Sequence, residues 1–177
     1  MTVFKKTLPR ESHRQPPPVI TNTAQLRAAI AESGIKEGTA TVISPHTTCA
    51  VFFEEFVHDV DETGTEFLQN DLNTVLEKII PDQTGWNQYQ YPGEEHYRAV
   101  ESWPDAEAYL PGGDRTALWN CDAHLKATLI GSSETFEVTD GKLGVGTPGN
   151  CYFADFARTR ARPRQSTIVV MGEKNMG

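Results

Sequence analysis

Residues 135–143 read TFEVTDGKL, and this stretch decides the fold class that the sequence predicts. Its first five residues have the composition and length of a β-strand, and Asp-Gly before a second apolar run is a strong signal for a β-hairpin. Further strands are predicted over residues 142–146, 151–156 and 166–172. The second half of the chain is therefore expected to consist of closely spaced strands.

The first half of the chain adds two predicted helices. Asn22 or Thr23 can cap a short helix, which Gly34 is placed to end. A second helix is predicted over residues 61–80, where apolar residues recur at helical spacing until Pro81 stops them.

Two further strands complete the predicted elements, over residues 39–43 and 48–54, with Pro45 interrupting them. Strands mixed with two helices, followed by a run of strands, favour an α+β, sandwich-like fold over a doubly wound sheet. Residues 82–118 are expected to be irregular, and a loop of this length in a compact domain is usually either functional or mobile. Residues 1–20, which include three consecutive prolines, are predicted to be an extended lead-in, and residues 21–177 a single domain.

Composition narrows the classes of function. The net charge of −8 argues against non-specific binding to nucleic acid or to anionic membranes. The sequence contains no apolar run of the roughly 20 residues that a membrane-spanning helix needs, and its start has no apolar segment typical of a secretory signal. Three cysteines without a CxxC pair disfavour a disulfide framework or a thiolate zinc site. We therefore expect a cytoplasmic protein with reduced thiols.

Two polar clusters are the candidates for chemistry: Ser44-Pro-His-Thr-Thr48 and Asn120-Cys-Asp-Ala-His-Leu-Lys126. If residues 124–130 form a strand, His124 and Lys126 share a polar face while Leu125 and Leu129 point into the core. If Pro45 does not disturb the second strand, His46 and Thr48 likewise share a non-core face. Each strand would then offer a histidine to a common site.

Histidines from separate segments can hold a divalent metal ion while leaving open positions. The metal ligands predicted here are His46, His124 and His96, with His58 as the reserve for the third position. Oxygen ligands or hydrogen-bonding partners could come from Glu55, Glu95 or Asp122. The alternative for any one of these histidines is a hydrogen-bonded structural role.

The remaining polar groups suggest binding of an anion. Lys126 could bind an anionic group or stabilise a leaving group, and Asp122 could orient a histidine or take part directly. The turn at residues 131–133 could present backbone N–H groups to a phosphate, although a plain turn is the simpler interpretation. The basic run over residues 158–164 is interpreted as an exposed hairpin tip, or else as a phosphate-facing rim contributed to a neighbouring subunit. The predicted catalytic residues are His46, Asp122, His124 and Lys126, and the predicted substrate-binding residues are Thr47, Thr48, Ser132 and Ser133.

Cys49 and Cys121 lie in or beside these clusters, so each is interpreted as a small buried hydrophobe or, alternatively, as a catalytic thiol. P-loop, GxGxxG, nucleophile-elbow and HExxH patterns are absent from the sequence.

The segments that carry a family resemblance are HTTCA (46–50), DAHLKA (122–127), GSS (131–133), DGKL (140–143) and GT (146–147). In order and spacing they resemble the YjbQ family, over roughly residues 20–173. The resemblance implies a β-sandwich, jelly-roll-like with mixed sheets and two flanking helices, assembled as a homotrimer with sites near subunit boundaries. It also implies that His46, His124 and a loop histidine, for which His96 is the candidate, line the site.

The family is described as secondary thiamine-phosphate synthases, which join a pyrimidine diphosphate to a thiazole phosphate and expel pyrophosphate. The resemblance therefore implies a phosphorylated small-molecule substrate at a histidine-lined, metal-assisted site. The chain departs from the family pattern at residues 54–56 (EEF), at residues 148–149 (PG) and in its longer loop over 97–119. The alternative function is a non-catalytic trimeric module that binds a ligand or partner, with the histidines forming a structural network.

Overall fold

Eight β-strands form two antiparallel sheets in the computed structural model, which describes residues 1–11, 19–159 and 161–174. The larger sheet has the order β1-β8-β3-β5-β6 and the smaller sheet the order β2-β7-β4. The strands are β1 (Thr2–Glu11), β2 (Val19–Thr21), β3 (Glu37–Ile43), β4 (Cys49–Glu55), β5 (Ser133–Thr139), β6 (Lys142–Leu143), β7 (Gly149–Asp155) and β8 (Pro163–Glu173). The predicted α+β class is confirmed. The sheets are not mixed, because every strand pairing in the described ranges is antiparallel.

The main core lies between the two sheets. Val42 and Ile168 of the larger sheet pack in one buried cluster with Val51 and Phe153 of the smaller sheet, and each of these side chains is at most 1% exposed. Helix α1 (Thr23–Ser33) contributes Leu26, Ala29 and Ile30 to the same cluster. Burial of apolar surface on two facing sheets is what holds a sandwich together.

A second buried cluster lies on the opposite face of the smaller sheet. Phe52 and Tyr152 stack there with ring centroids 5.4 Å apart, and Leu76, Ala123 and Ala127 pack in the same cluster. These last three belong to α2 (Phe67–Ile79) and α5 (Cys121–Ile130). The layers are therefore sheet, sheet and helices.

The predicted strand at residues 124–130 is wrong, because these residues form the greater part of α5. The seven residues alternate, but apolar residues at a spacing of three and four suit a helix equally well. A helix forms here rather than a strand because it places Ala123 and Ala127 on one face. Their small side chains allow that face to pack closely on the smaller sheet. Leu125 and Leu129, predicted to be in the core, are instead 42% and 61% exposed.

The predicted hairpin is confirmed. Thr139 pairs with Lys142 across a two-residue turn in which Asp140 and Gly141 have φ angles of 53° and 72°. Positive φ at both central positions is the type I′ pattern, which Asp-Gly favours. The strand after the turn ends at Leu143 rather than at residue 146.

The start of the chain is extended, as predicted, but it is also part of a sheet. Strand β1 pairs with β8 from Thr2↔Gly172 to Glu11↔Pro163. The predicted proline-rich part, residues 16–18, lies outside the described ranges.

The first predicted helix is confirmed as α1, which ends at Gly34 in the left-handed conformation. The second begins at Phe67 rather than at residue 61, because Asp61 accepts hydrogen bonds from the backbone N–H groups of Thr63 and Thr65 and closes a turn instead.

Residues 82–118 are more ordered than predicted. They contain α3 (Glu94–Glu101), α4 (Ala106–Tyr109) and two short 3₁₀ helices, Pro111–Gly113 and Arg115–Leu118. A small core of their own, built on Tyr97, Val100, Leu110 and Leu118, fixes the segment. The molecule thus has more helices than the two predicted. Among the described residues, no helix is both long enough and apolar enough to cross a membrane.

Candidate functional site

The three histidines singled out from the sequence line one cavity of about 370 Å³. His46 comes from the turn between β3 and β4, His96 from α3 and His124 from α5. These segments are far apart in the chain, so only the fold brings the rings together. The sequence predicted that His46, His124 and His96 lie together, and the structure places them at one cavity.

His46 has a defined tautomer. Its Nε2 accepts a hydrogen bond from the backbone N–H of Gln165 at 2.9 Å. In the neutral ring the proton is therefore on Nδ1, which leaves an N–H donor for a ligand. Burial, assisted by the positive charge of Arg164, lowers the pKa of His46 below its ordinary value.

His124 and His96 both contact Tyr91. The Tyr91 ring meets His124 edge-on, with centroids 5.6 Å apart, and its hydroxyl lies 3.2 Å from Nε2 of His96. Burial lowers the pKa of His124, although a hydrogen bond to the backbone of Thr47 acts in the opposite direction. His46 and His124 thus both favour the neutral form near pH 7.

Two arginines line the same cavity, Arg162 and Arg164. Arg164 is held in a buried ion pair, donating from Nε and Nη2 to the Asp155 carboxylate at 2.7 and 3.1 Å. Its Nη2 also donates to the hydroxyl of Thr48 at 3.0 Å. A bidentate pair of this kind fixes the guanidinium in one orientation.

Asn120 adds an acceptor to the cavity wall. Its side chain is 6% exposed, and its Oδ1 has no hydrogen-bond partner among the described residues. Buried polar atoms are normally paired, so an unpaired acceptor at a cavity wall points to a ligand or a water that would donate to it.

An apolar part of the wall comes from α3 and from the segment between α3 and α5. It consists of Val100, Trp103, Tyr109 and Leu118, and the rings of Trp103 and Tyr109 pack edge to face with centroids 5.1 Å apart. The cavity therefore has one cationic, hydrogen-bonding side and one apolar, aromatic side.

Lys126 and Asp122, predicted as catalytic residues, do not line this cavity. Two residues of a helix are separated by about 200° around its axis, so Lys126 points away from His124. Its Nζ lies 2.7 Å from Oδ1 of Asp82 and 3.8 Å from Oδ2 of Asp122. Arg158 pairs with the same two carboxylates. We call these four side chains the charge cluster; it joins the start of the 82–118 segment to α5.

Thr47 and Thr48, two of the four residues predicted to bind substrate, line the cavity. Ser132 lies in a neighbouring cavity of about 300 Å³, which shares Pro45, His46 and Thr47 with the first. Ser133 begins β5, pairs with Ile43 and is exposed. The structure thus brings the two threonines to the cavity with all three histidines, Ser132 to a cavity that contains only His46 among them, and Ser133 to neither cavity.

The residues fit a divalent metal ion poorly. A neutral His46 bound to a metal through Nδ1 would carry its proton on Nε2, where it would face the N–H of Gln165. The cavity walls of the described residues contain no carboxylate, and these residues hold no group of three or more histidine, cysteine or acidic side chains arranged for an ion. His58 packs on Phe56, with ring centroids 5.1 Å apart, away from the cavity.

The cysteines are all buried free thiols. Burial raises the pKa of Cys49 to about 12 and also raises the pKa of Cys121. A thiol that stays protonated at neutral pH is a poor nucleophile, so the structure favours the interpretation of small buried hydrophobes.

Sequence reasoning missed Tyr91, and it considered Arg162 and Arg164 only as part of the basic run, whose second interpretation was a phosphate-facing rim; both residues line the cavity. Arg158 joins the charge cluster and Arg164 pairs with Asp155, so the interpretation as an exposed hairpin tip is wrong for these two residues. Arg160 lies outside the described ranges.

Comparison with known proteins gives a consistent family match. Residues 10–173 match the family described as UPF0047 protein YjbQ-like. A UPF0047 protein of Methanocaldococcus jannaschii is 28% identical over 152 residues, which are 86% of this chain and 83% of that protein. A UPF0047 protein of Methanothermobacter thermautotrophicus is 25% identical over 162 residues, 92% of this chain and 89% of that protein.

Solved structures share the fold. A YbjQ-like protein of unknown function from Sulfolobus solfataricus superposes with a TM-score of 0.67 at 24% identity, covering 97% of this chain and 99% of that one. An uncharacterized conserved protein of the YjbQ/UPF0047 family from Clostridium acetobutylicum gives a TM-score of 0.63 at 25% identity, covering 94% and 98%.

Proposed function

Because the chain belongs to the UPF0047 family of YjbQ-like proteins, we propose that the histidine-lined cavity binds a phosphorylated small molecule and supports group transfer with loss of phosphate or pyrophosphate. The observation that carries this proposal is the meeting of His46, His96 and His124 with two arginines in one cavity. Guanidinium groups match phosphate oxygens in charge and geometry.

Each side of the cavity has a role in this proposal. Arg162, together with the oriented Arg164, attracts the phosphate oxygens. The Nδ1–H of His46 donates a hydrogen bond to the leaving oxygen, where negative charge develops. The aromatic side holds the organic part of the substrate, and Asn120 accepts a hydrogen bond from it.

A thiamine-phosphate synthase reaction is the finer form of the proposal. There the thiazole nitrogen forms a bond to the methylene carbon of the pyrimidine diphosphate, while the bond from that carbon to oxygen breaks and pyrophosphate leaves with the electron pair. The arginines supply the positive charge that the sequence assigned to a metal ion and to Lys126. No step is assigned to a metal, since the histidine geometry fits one poorly.

Binding of inorganic pyrophosphate, measured by isothermal titration calorimetry, tests the anion site. We expect Arg162→Gln to weaken binding by about tenfold or more, because a hydrogen bond to a charged group contributes about 1.5–3 kcal/mol. Arg98→Gln is the matched control, since Arg98 is an exposed arginine on α3 outside the cavity. No binding by the wild type, or equal weakening in both variants, would refute the proposal.

Turnover is tested separately. Pyrimidine diphosphate and thiazole phosphate are incubated with the protein, and thiamine phosphate is quantified by chromatography. His46→Gln should abolish product while pyrophosphate still binds. Pyrophosphate binding without any turnover in the wild type would favour the non-catalytic ligand-binding module, in which the hydrogen bond from Gln165 to His46 serves a structural network.

We also propose a homotrimer and a cytoplasmic location. The trimer is supported by Leu125 and Leu129, which form an exposed apolar stripe on α5 beside His124. The location is supported by three buried thiols that form no disulfide.

A further inference from the structure

A second cavity, of about 460 Å³, is lined by residues of the 82–119 segment, which also contributes to the histidine-lined cavity. Neighbouring residues divide between the two: Tyr91 and His96 line the first, whereas Pro92 and Tyr97 line the second. We call the second the aromatic cavity, because Trp86, Tyr89, Tyr97 and Trp119 contribute to its walls. It contains no histidine among the described residues that line it.

Three of these rings stand at steep angles to one another. Trp86 and Trp119 are perpendicular, at 89°, with centroids 5.0 Å apart. Tyr97 is tilted by 53° from Trp86, with centroids 6.1 Å apart. The indole N–H of Trp119 donates to the hydroxyl of Tyr97 at 3.2 Å, which fixes two of the rings. All three rings line the cavity, and Trp86 remains 59% exposed.

The charges around the aromatic cavity do not favour an anion. Arg115 is its one cation among the described lining residues, and it is paired with two carboxylates, Glu94 at 2.9 Å and Glu101 at 2.7 Å. The whole chain carries a net charge of −8, which attracts cations to its surface.

One cation already binds a ring in this cavity. The guanidinium carbon of Arg115 lies 4.8 Å from the centroid of Tyr97, within the range of a cation–π interaction. The walls formed by Trp86 and Trp119 offer the same chemistry to a ligand, and indole rings bind cations best among aromatic side chains.

From these observations we infer that the aromatic cavity binds a small organic ammonium ion, such as one with methyl groups on nitrogen. The methyl groups would contact the indole faces of Trp86 and Trp119, and the positive charge would interact with their π-electrons. The site is independent of the histidine-lined cavity and of the group transfer proposed there.

Choline is the probe, and 3,3-dimethylbutan-1-ol, its uncharged analogue of the same shape, is the matched control ligand. Binding of each is followed by tryptophan fluorescence and by calorimetry. We expect choline to bind and the alcohol to bind at least about fivefold more weakly, because only the charge distinguishes them.

Trp86→Leu should abolish choline binding. It should leave pyrophosphate binding unchanged, because Trp86 does not line the histidine-lined cavity. Trp103→Leu is the matched control variant: Trp103 is a partly exposed tryptophan of the same segment outside the aromatic cavity, and its loss should leave choline binding intact. Circular dichroism verifies that both variants fold.

Three results would overturn the inference: no choline binding by the wild type, equal binding of the alcohol, or choline binding that survives in Trp86→Leu. A failure of pyrophosphate to bind would refute the proposed function alone, since choline binding does not depend on it.

Discussion

At His46 and His124, burial disfavours the charged imidazolium and lowers the pKa of each ring. The hydrogen bond from Gln165 adds a second constraint on His46, because it places the proton of the neutral ring on Nδ1. A histidine held in this form donates to a ligand but is a poor metal ligand at that nitrogen. At the residue scale, the cavity is therefore better suited to anions than to metal ions.

The lowered pKa of His124 predicts a pH-dependent stability. Between the lower folded pKa and the unfolded value of about 6.5, the unfolded state binds more protons, so the free energy of unfolding rises with pH. Stability from His124 is fully present above about 6.5 and is lost as the pH falls through the folded pKa. Urea denaturation between about pH 5 and 8 should show a weaker pH dependence for His124→Gln than for the wild type. Equal slopes would contradict the assignment. The pKa of Asp122 is raised, chiefly by burial, and this makes the free energy of unfolding fall as the pH rises. That contribution is the same in the wild type and in His124→Gln.

At the scale of elements, α5 places different side chains in two different environments. One face carries His124 to the cavity, and another carries Lys126 and Asp122 to the charge cluster. Its sequence was compatible with both a strand and a helix, because seven residues are too few to separate a period of 2 from one of 3.6. Packing of Ala123 and Ala127 on the smaller sheet decided between them, and no local pattern contains that information.

Lys126→Met tests the role of the charge cluster. We expect a loss of about 3 kcal/mol in the free energy of unfolding, at the low end of the range for breaking a buried ion pair, because Arg158 still offsets the two carboxylates. Pyrophosphate binding should stay within about twofold of the wild type, a change of about 0.4 kcal/mol.

Lys142→Met is the control, since Lys142 is exposed on β6; its stability should change by less than about 0.5 kcal/mol. Loss of pyrophosphate binding in a folded Lys126→Met protein would instead support the catalytic role predicted from the sequence.

At the scale of the whole molecule, the two sheets and the helical layer leave α5 at the surface, with Leu125 and Leu129 exposed beside the cavity. Large exposed aliphatic side chains on one stripe often mark an interface. An interface there would place the histidine-lined cavity near a subunit boundary.

Sedimentation equilibrium tests the proposed homotrimer, which should have three times the chain mass of 19.6 kDa. The double variant Leu125→Glu, Leu129→Glu should shift the mass toward that of a single chain, because buried like charges would face one another. Met171→Lys is the control on the far sheet, where Met171 is also exposed. A wild-type mass of one chain would refute the trimer, and an unchanged trimer in the double variant would place the interface elsewhere.

The sequence by itself determined the α+β class, helix α1 with its Gly34 end and the Asp-Gly hairpin, and it singled out the three histidines as candidates for one site. These features depend on local propensities and turn chemistry, which a short segment contains. Only the tertiary structure decided that His46, His96 and His124 meet, that Arg162 and Arg164 join them, and that Lys126 does not. Those outcomes depend on which faces of distant elements are buried together, and long-range packing has no signature within any one segment.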